Sequence, residues 1–104
     1  MNKGLPEGVE PYKRTATFTE ESVPAALLRD HSTKQGSWGL IYVEEGRLLY
    51  VVTDPARPPS ENVLTPDTAP GIVEPMILHR VEPLGSVRFH VEFHRPAIGS
   101  QAAG

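Results

Sequence analysis

His31-Ser32-Thr33-Lys34-Gln35-Gly36-Ser37-Trp38-Gly39-Leu40-Ile41-Tyr42-Val43-Glu44-Glu45-Gly46-Arg47-Leu48-Leu49-Tyr50-Val51-Val52 is the stretch on which the fold turns. Residues 38–43 and 48–52 are apolar, of strand length and rich in β-branched and aromatic side chains. Between them Glu44-Glu45-Gly46-Arg47 is polar and carries a glycine, the residue that supplies the positive φ of a hairpin turn. The stretch therefore reads as a β-hairpin with a histidine at its entrance.

Moving outward toward the C-terminus, 53–71 is polar, with prolines at 55, 58, 59, 66 and 70. Only Val63-Leu64-Thr65 interrupts it, as a short strand in a surface loop. Residues 72–81 resume an apolar pattern, and Pro83-Leu84-Gly85 turns the chain. The clearest periodicity follows, where Val87, Phe89, Val91 and Phe93 alternate with Arg88, His90, Glu92 and His94, the two-residue period of a half-buried strand. Toward the N-terminus, 15–19 reads as a short strand and 1–13 as an irregular lead-in packed on the surface, anchored by Tyr12. Residues 25–30 divide evenly between strand and helix, since Pro24 followed by Ala and Leu is good first-turn helix chemistry. The 96–104 tail is small and polar enough to fray. The tally is seven or eight short strands in one domain spanning 1–104, an all-β sandwich or small antiparallel β-barrel.

The chain has 104 residues, no cysteine and a net charge of −3. Disulfides and thiolate metal sites are excluded, and a reducing, cytoplasmic setting is favoured. Without a Lys/Arg run the chain offers no nucleic-acid or anionic-membrane surface, and no apolar run approaches the roughly 20 residues of a membrane helix. Phosphate loops, dinucleotide fingerprints, nucleophile elbows and His-Glu-x-x-His are all missing.

Any transition-metal site must draw on His31, His79, His90, His94 and carboxylates. His90 and His94 are spaced like a helical ligand pair, but on a strand they stand about 13 Å apart and cannot share an ion. His90 and Glu92 share the face opposite the apolar one and read as an exposed polar surface. His79 sits in an apolar strand and is either a satisfied core histidine or a group facing a cavity. Lys34 could hold an anion or simply be solvated. Trp38 could plug the core or stack on a ligand. Glu74 and Glu82 are candidates for ordinary ion pairs with Arg80 or Lys34.

Residues 30–39 followed by 43–48 resemble the first cupin motif, and 73–81, a proline turn followed by a histidine, resembles the second. More closely, both are similar to a family of small cupin-like proteins, which includes nitrate-responsive stand-alone proteins and the N-terminal domain of tellurite-resistance B proteins. The His-x-x-Lys-x-Gly-x-Trp-Gly spacing is the most specific part, and the resemblance runs from about Leu5 to His94. It implies a cupin-like antiparallel β-barrel or jelly roll, with 25–30 as a strand leading to His31. It also implies that His31 and His79 converge on the barrel interior. A cupin motif would supply two histidines and a glutamate where this chain has only His31, with Gly39 at the glutamate's place. The methyltransferase part of the longer relatives is not matched, so S-adenosylmethionine and methyl transfer are not carried over.

The function this implies is a small metal-binding protein linked to tellurite or other oxyanions, or to nitrosative stress. His31 and His79 would hold a divalent ion (zinc, iron, nickel or manganese), with Lys34, Arg80 and Trp38 receiving a small molecule or oxyanion. The alternative is a non-catalytic small-ligand-binding or sensor module without an obligatory metal. A third is a structural role, as a homodimer paired along the edge near Val63 and Leu64.

Overall fold

In the computed structural model, which describes residues 4–97, the chain is all-β and its strand pairings are antiparallel. Six strands form: β1 (Val9–Arg14), β2 (Phe18–Thr19), β3 (Trp38–Val52), β4 (Ser60–Leu64), β5 (Gly71–Val73) and β6 (His79–Pro96). The sheet order is β1-β6-β3-β4, with β2 on β6 and β5 on β3. β3 and β6, at 15 and 18 residues, are far longer than an ordinary strand and pair along most of their length. β5 flanks the first half of β3 and β4 the second, while β1 and β2 flank the second half of β6.

Two bulges bend this long pair. Glu44 stands unpaired between Val43↔Phe89 and Glu45↔Arg88. Immediately afterwards, residues 84–86 of β6 face only Arg47 of β3, between Gly46↔Val87 and Leu48↔Pro83. The extra residue at Glu44 reverses which side chains of β3 point inward. Ile41 and Val43 are buried before it, Leu48 and Tyr50 after it. The insertion in β6 preserves parity, so His79, Val81, Val87 and Phe89 all point inward. The bend folds the sheet on itself, and one core draws Ile41, Val43, Val87 and Phe89 from one half and Leu48, Tyr50, Leu64 and Val81 from the other. Gly46 adopts φ +80 at the bend, where a Cβ would run into the carbonyl of Ser86.

These bulges correct two features read from sequence. Glu44-Glu45-Gly46-Arg47 is not a hairpin turn but a bend inside one strand, and Pro83-Leu84-Gly85 is a bulge inside β6. A glycine with positive φ serves either geometry, and the local sequence does not say whether the chain reverses or only kinks. The lead-in is also more ordered than expected, since Val9–Arg14 pairs with the end of β6 and Leu5 is buried. The strand implied over 25–30 is instead a 3-10 helix, Ala25–Leu28, of which only Leu27 is half-buried; Pro24 leads into it, and helix chemistry prevails over the cupin resemblance. Strand 15–19 shortens to Phe18–Thr19, while the expected strand at 63–65 appears as β4. Pro96 still pairs with Val9, and the rest of the expected tail from 98 lies outside the described residues.

Candidate functional site

Between the folded halves lies a cavity of about 530 Å³. Its apolar wall comes from the inward positions of the bent strands, chiefly Ile41, Val81, Phe89, Val91 and Phe93, and from Val73 of β5, with Phe18 and Leu27 closing one side. Its polar residues are Tyr12, Lys13 and Thr15 from the β1 side and His31, Ser32, Thr33, Lys34 and Ser37 from the loop before β3, with His79 opening β6.

His31 and His79 meet there. Each donates its backbone N–H to the other's carbonyl at 2.9 Å, and their rings lie 4.2 Å apart, inclined at 58°. The Nδ1 of His31 bonds the Arg29 carbonyl at 3.0 Å, and that of His79 bonds the Ile77 carbonyl at 2.9 Å. His79 is buried, which pushes its pKa below the ordinary imidazole value; the Ile77 bond opposes this and His31 adds to it. The loop before His79 is clamped from outside. Asp54 accepts from the Leu78 N–H at 2.9 Å, a bond that holds its carboxyl below the usual range. Glu74 binds Arg57 through two bonds of 2.8 and 3.0 Å, not Arg80 or Lys34, and that guanidinium lowers the Glu74 pKa.

Tyr12 was not singled out as a site residue by its surroundings in the sequence, because what places it is a bulge. It stands unpaired between Pro11↔His94 and Lys13↔Phe93, and the extra residue aims its ring at the cavity. Its hydroxyl meets the buried Ser37 hydroxyl at 2.7 Å. The Arg95 guanidinium lies 4.4 Å and the Lys34 ammonium 5.9 Å from the ring centre. Lys34 thus stands with His31 and His79 on the same cavity. Arg80 and Trp38 do not line it. Trp38 opens β3 across from His94, and Arg80 pairs with Val51.

The outer face is less solvated than the sequence suggests. His90 stacks on Tyr42 at 5.1 Å and donates to Glu44 at 2.6 Å, lowering the Glu44 pKa, and Thr17 adds a second bond. His94 is buried and bonded to Glu92 at 2.8 Å. Gly39 packs with its Cα side against Val73, whose Cβ would lie 3.2 Å from any Cβ added there, so a glutamate in its place would need Val73 to give way by a few tenths of an ångström.

A family profile for the TehB-like domain matches residues 13–91. The probable S-adenosyl-L-methionine-dependent methyltransferase TehB of Haemophilus influenzae (strain Rd) is 35% identical over 74 residues, covering 70% of this chain and 26% of that protein. Its counterpart from strain 10810 is 34% identical over the same length. The crystal structure of TehB from Haemophilus influenzae superposes with a TM-score of 0.79 at 27% identity, covering 86% of this chain and 32% of that one. A crystal structure of an Escherichia coli K12 protein superposes equally well, with a TM-score of 0.79 over 89% of this chain and 96% of that one; at 18% identity this shows the fold alone. The chain spans about a quarter of the length of the curated relatives it matches.

The metal-binding function and the divalent cofactor are corrected by these findings. Among the described residues no three or more His, Cys, Asp or Glu side chains gather to hold an ion. The curated relatives are named for S-adenosyl-L-methionine-dependent methyl transfer, not for a metal. Of the resemblances read from sequence, the one to the tellurite-resistance B proteins is the one supported: the chain belongs to the TehB-like domain family.

Proposed function

We propose that this domain holds a small molecule with an apolar body and an anionic head between the halves of its folded sheet, as the acceptor-binding part of a TehB-type methyltransferase. The observation that carries this is the charge of the cavity wall. Its lining includes Lys13 and Lys34 and no carboxylate, although acidic residues outnumber basic ones in the chain, 13 to 10. An apolar wall with its polar groups gathered at one end, in a cavity of this volume, is the composition of a small-molecule site. Lysines at the polar side add attraction for a negative group, which suits an oxyanion or a carboxylate.

The methyl-transfer setting is supported by the names of the curated relatives. S-adenosylmethionine itself does not fit this cavity. Only its carboxylate would find a cation; its sulfonium and ammonium charges would face lysines with no carboxylate to balance them, and its ribose diol would find no acidic partner. We assign it to the part of such relatives that this chain does not span.

Anilinonaphthalene sulfonate and N-phenylnaphthylamine test the charge, because they share an apolar body and an N–H and differ in the sulfonate. The sulfonate is expected to bind one to one and several-fold more tightly. Lys34→Glu is expected to abolish that advantage and leave the uncharged probe's affinity unchanged. Equal affinities in the wild type, or an advantage that survives in the Lys13→Glu/Lys34→Glu double variant, would refute the proposal.

A further inference from the structure

We infer that His31 and His79 form a donor-selecting site, which admits ligands that bring a protic group (a hydroxyl, thiol or N–H) to a pair of bare imidazole lone pairs. This rests on the reading of the cavity as a ligand site and specifies the other end of the ligand. A backbone carbonyl can only accept. The bonds from His31 to the Arg29 carbonyl and from His79 to the Ile77 carbonyl therefore place a proton on each Nδ1. A neutral imidazole carries one N–H, so in the neutral form of each ring Nε2 is an acceptor.

Neither Nε2 has a hydrogen-bond partner among the described residues. No buried side-chain nitrogen or oxygen among those residues is sealed away without a partner, so neither Nε2 is shut off from solvent. Both residues line the cavity, and it is there that their lone pairs can be reached. With rings 4.2 Å apart, two acceptors cannot satisfy each other. The nearby hydroxyls do not serve them either: Tyr12 and Ser37 bond each other, and Thr33 donates to the Ser37 carbonyl at 2.6 Å. The backbone bonds joining the two residues hold the rings as a unit. Burial keeps His79 neutral at ordinary pH.

The cavity is thus polarised, with acceptors at the histidine pair and cations at the lysines. A bound ether or thioether would leave both lone pairs unpaired in an apolar setting, and a site built for a hydrogen bond rejects an analogue lacking it more strongly than it rejects a change of size.

Naphthol and methoxynaphthalene, nearly equal in size, separate the two cases at neutral pH, with anilinonaphthalene sulfonate titrated alongside. Naphthol is expected to bind about tenfold more tightly, the worth of one well-made hydrogen bond. His31→Phe and His79→Phe each keep a ring and are expected to erase that preference while the sulfonate probe still binds. Nitrogen-15 spectra of the wild type are expected to show both histidines with protonated Nδ1 and bare Nε2, a readout that does not depend on any variant folding. Equal affinities for the two naphthalenes, failure of both to bind while the sulfonate probe does, a preference that survives both substitutions, or an Nε2–H tautomer at either histidine would overturn the inference. Failure of the sulfonate probe itself would instead count against the cavity as a ligand site.

Discussion

His79 shows how a single side chain couples the fold to the solution. Only 3% of its surface is exposed, and desolvation, followed by the nearby His31, holds its pKa below the ordinary 6.5. The unfolded chain binds a proton near 6.5, while the folded chain binds it only at lower pH. In that interval the unfolded state carries more protons, so stability is level above 6.5 and falls as the pH drops toward the folded value. Calorimetric midpoints are therefore expected to decline from about pH 6.5 downward, with a shallower decline in His79→Phe. Equal slopes in the two proteins would show that this histidine contributes nothing. The carboxylates act in a separate window. Glu44, lowered by His90 and Thr17, contributes stability that is lost only below 4.5, as the pH falls through its folded value. His31, His79 and Lys34 were legible in the sequence as polar residues in or beside apolar strands. Tyr12 was not, because the bulge that aims it depends on its register with β6.

At the scale of elements, the bend in the β3–β6 pair decides the architecture. Gly46 and Gly85 both have positive φ, +80 and +92, but differ in what surrounds them. A Cβ at Gly85 meets nothing within 4 Å, whereas one at Gly46 collides with the backbone of Ser86 and Val87. Gly85→Ala is expected to cost about 1 kcal/mol from its backbone conformation, and Gly46→Ala clearly more, of order 2–3 kcal/mol, because a neighbouring strand must move. Chemical denaturation checks the order, and equal costs would mean that the bend tolerates a shift at Ser86. The same bend explains what sequence could and could not reveal. The alternation from Val87 to Phe93 marks β6 because Val87 and Phe89 in the core and Val91 and Phe93 on the cavity follow one period without interruption. In β3 the extra residue at Glu44 breaks the period amid three charged residues and a glycine, and a kinked strand and a hairpin then look alike. Long-range pairing, not local propensity, separates them.

At the scale of the molecule, two long strands bent at the same level close a sheet over one core and leave a cavity between its halves. Inward side chains of β3, β5 and β6 form the apolar wall, and residues delivered by loops and by one bulge supply its polar end. A second depression lies beside β4 and is lined by Val52, Asn62 and Leu64 among others, but it has no charged lining residue. An anionic probe should therefore discriminate between the two. Amide-resolved nuclear magnetic resonance of the wild-type chain titrated with anilinonaphthalene sulfonate is the most direct measurement. The largest shifts are expected at Tyr12, His31, Lys34, His79 and Phe89. Shifts centred instead on Ser60–Leu64, or scattered without saturation, would contradict a ligand site between the folded halves.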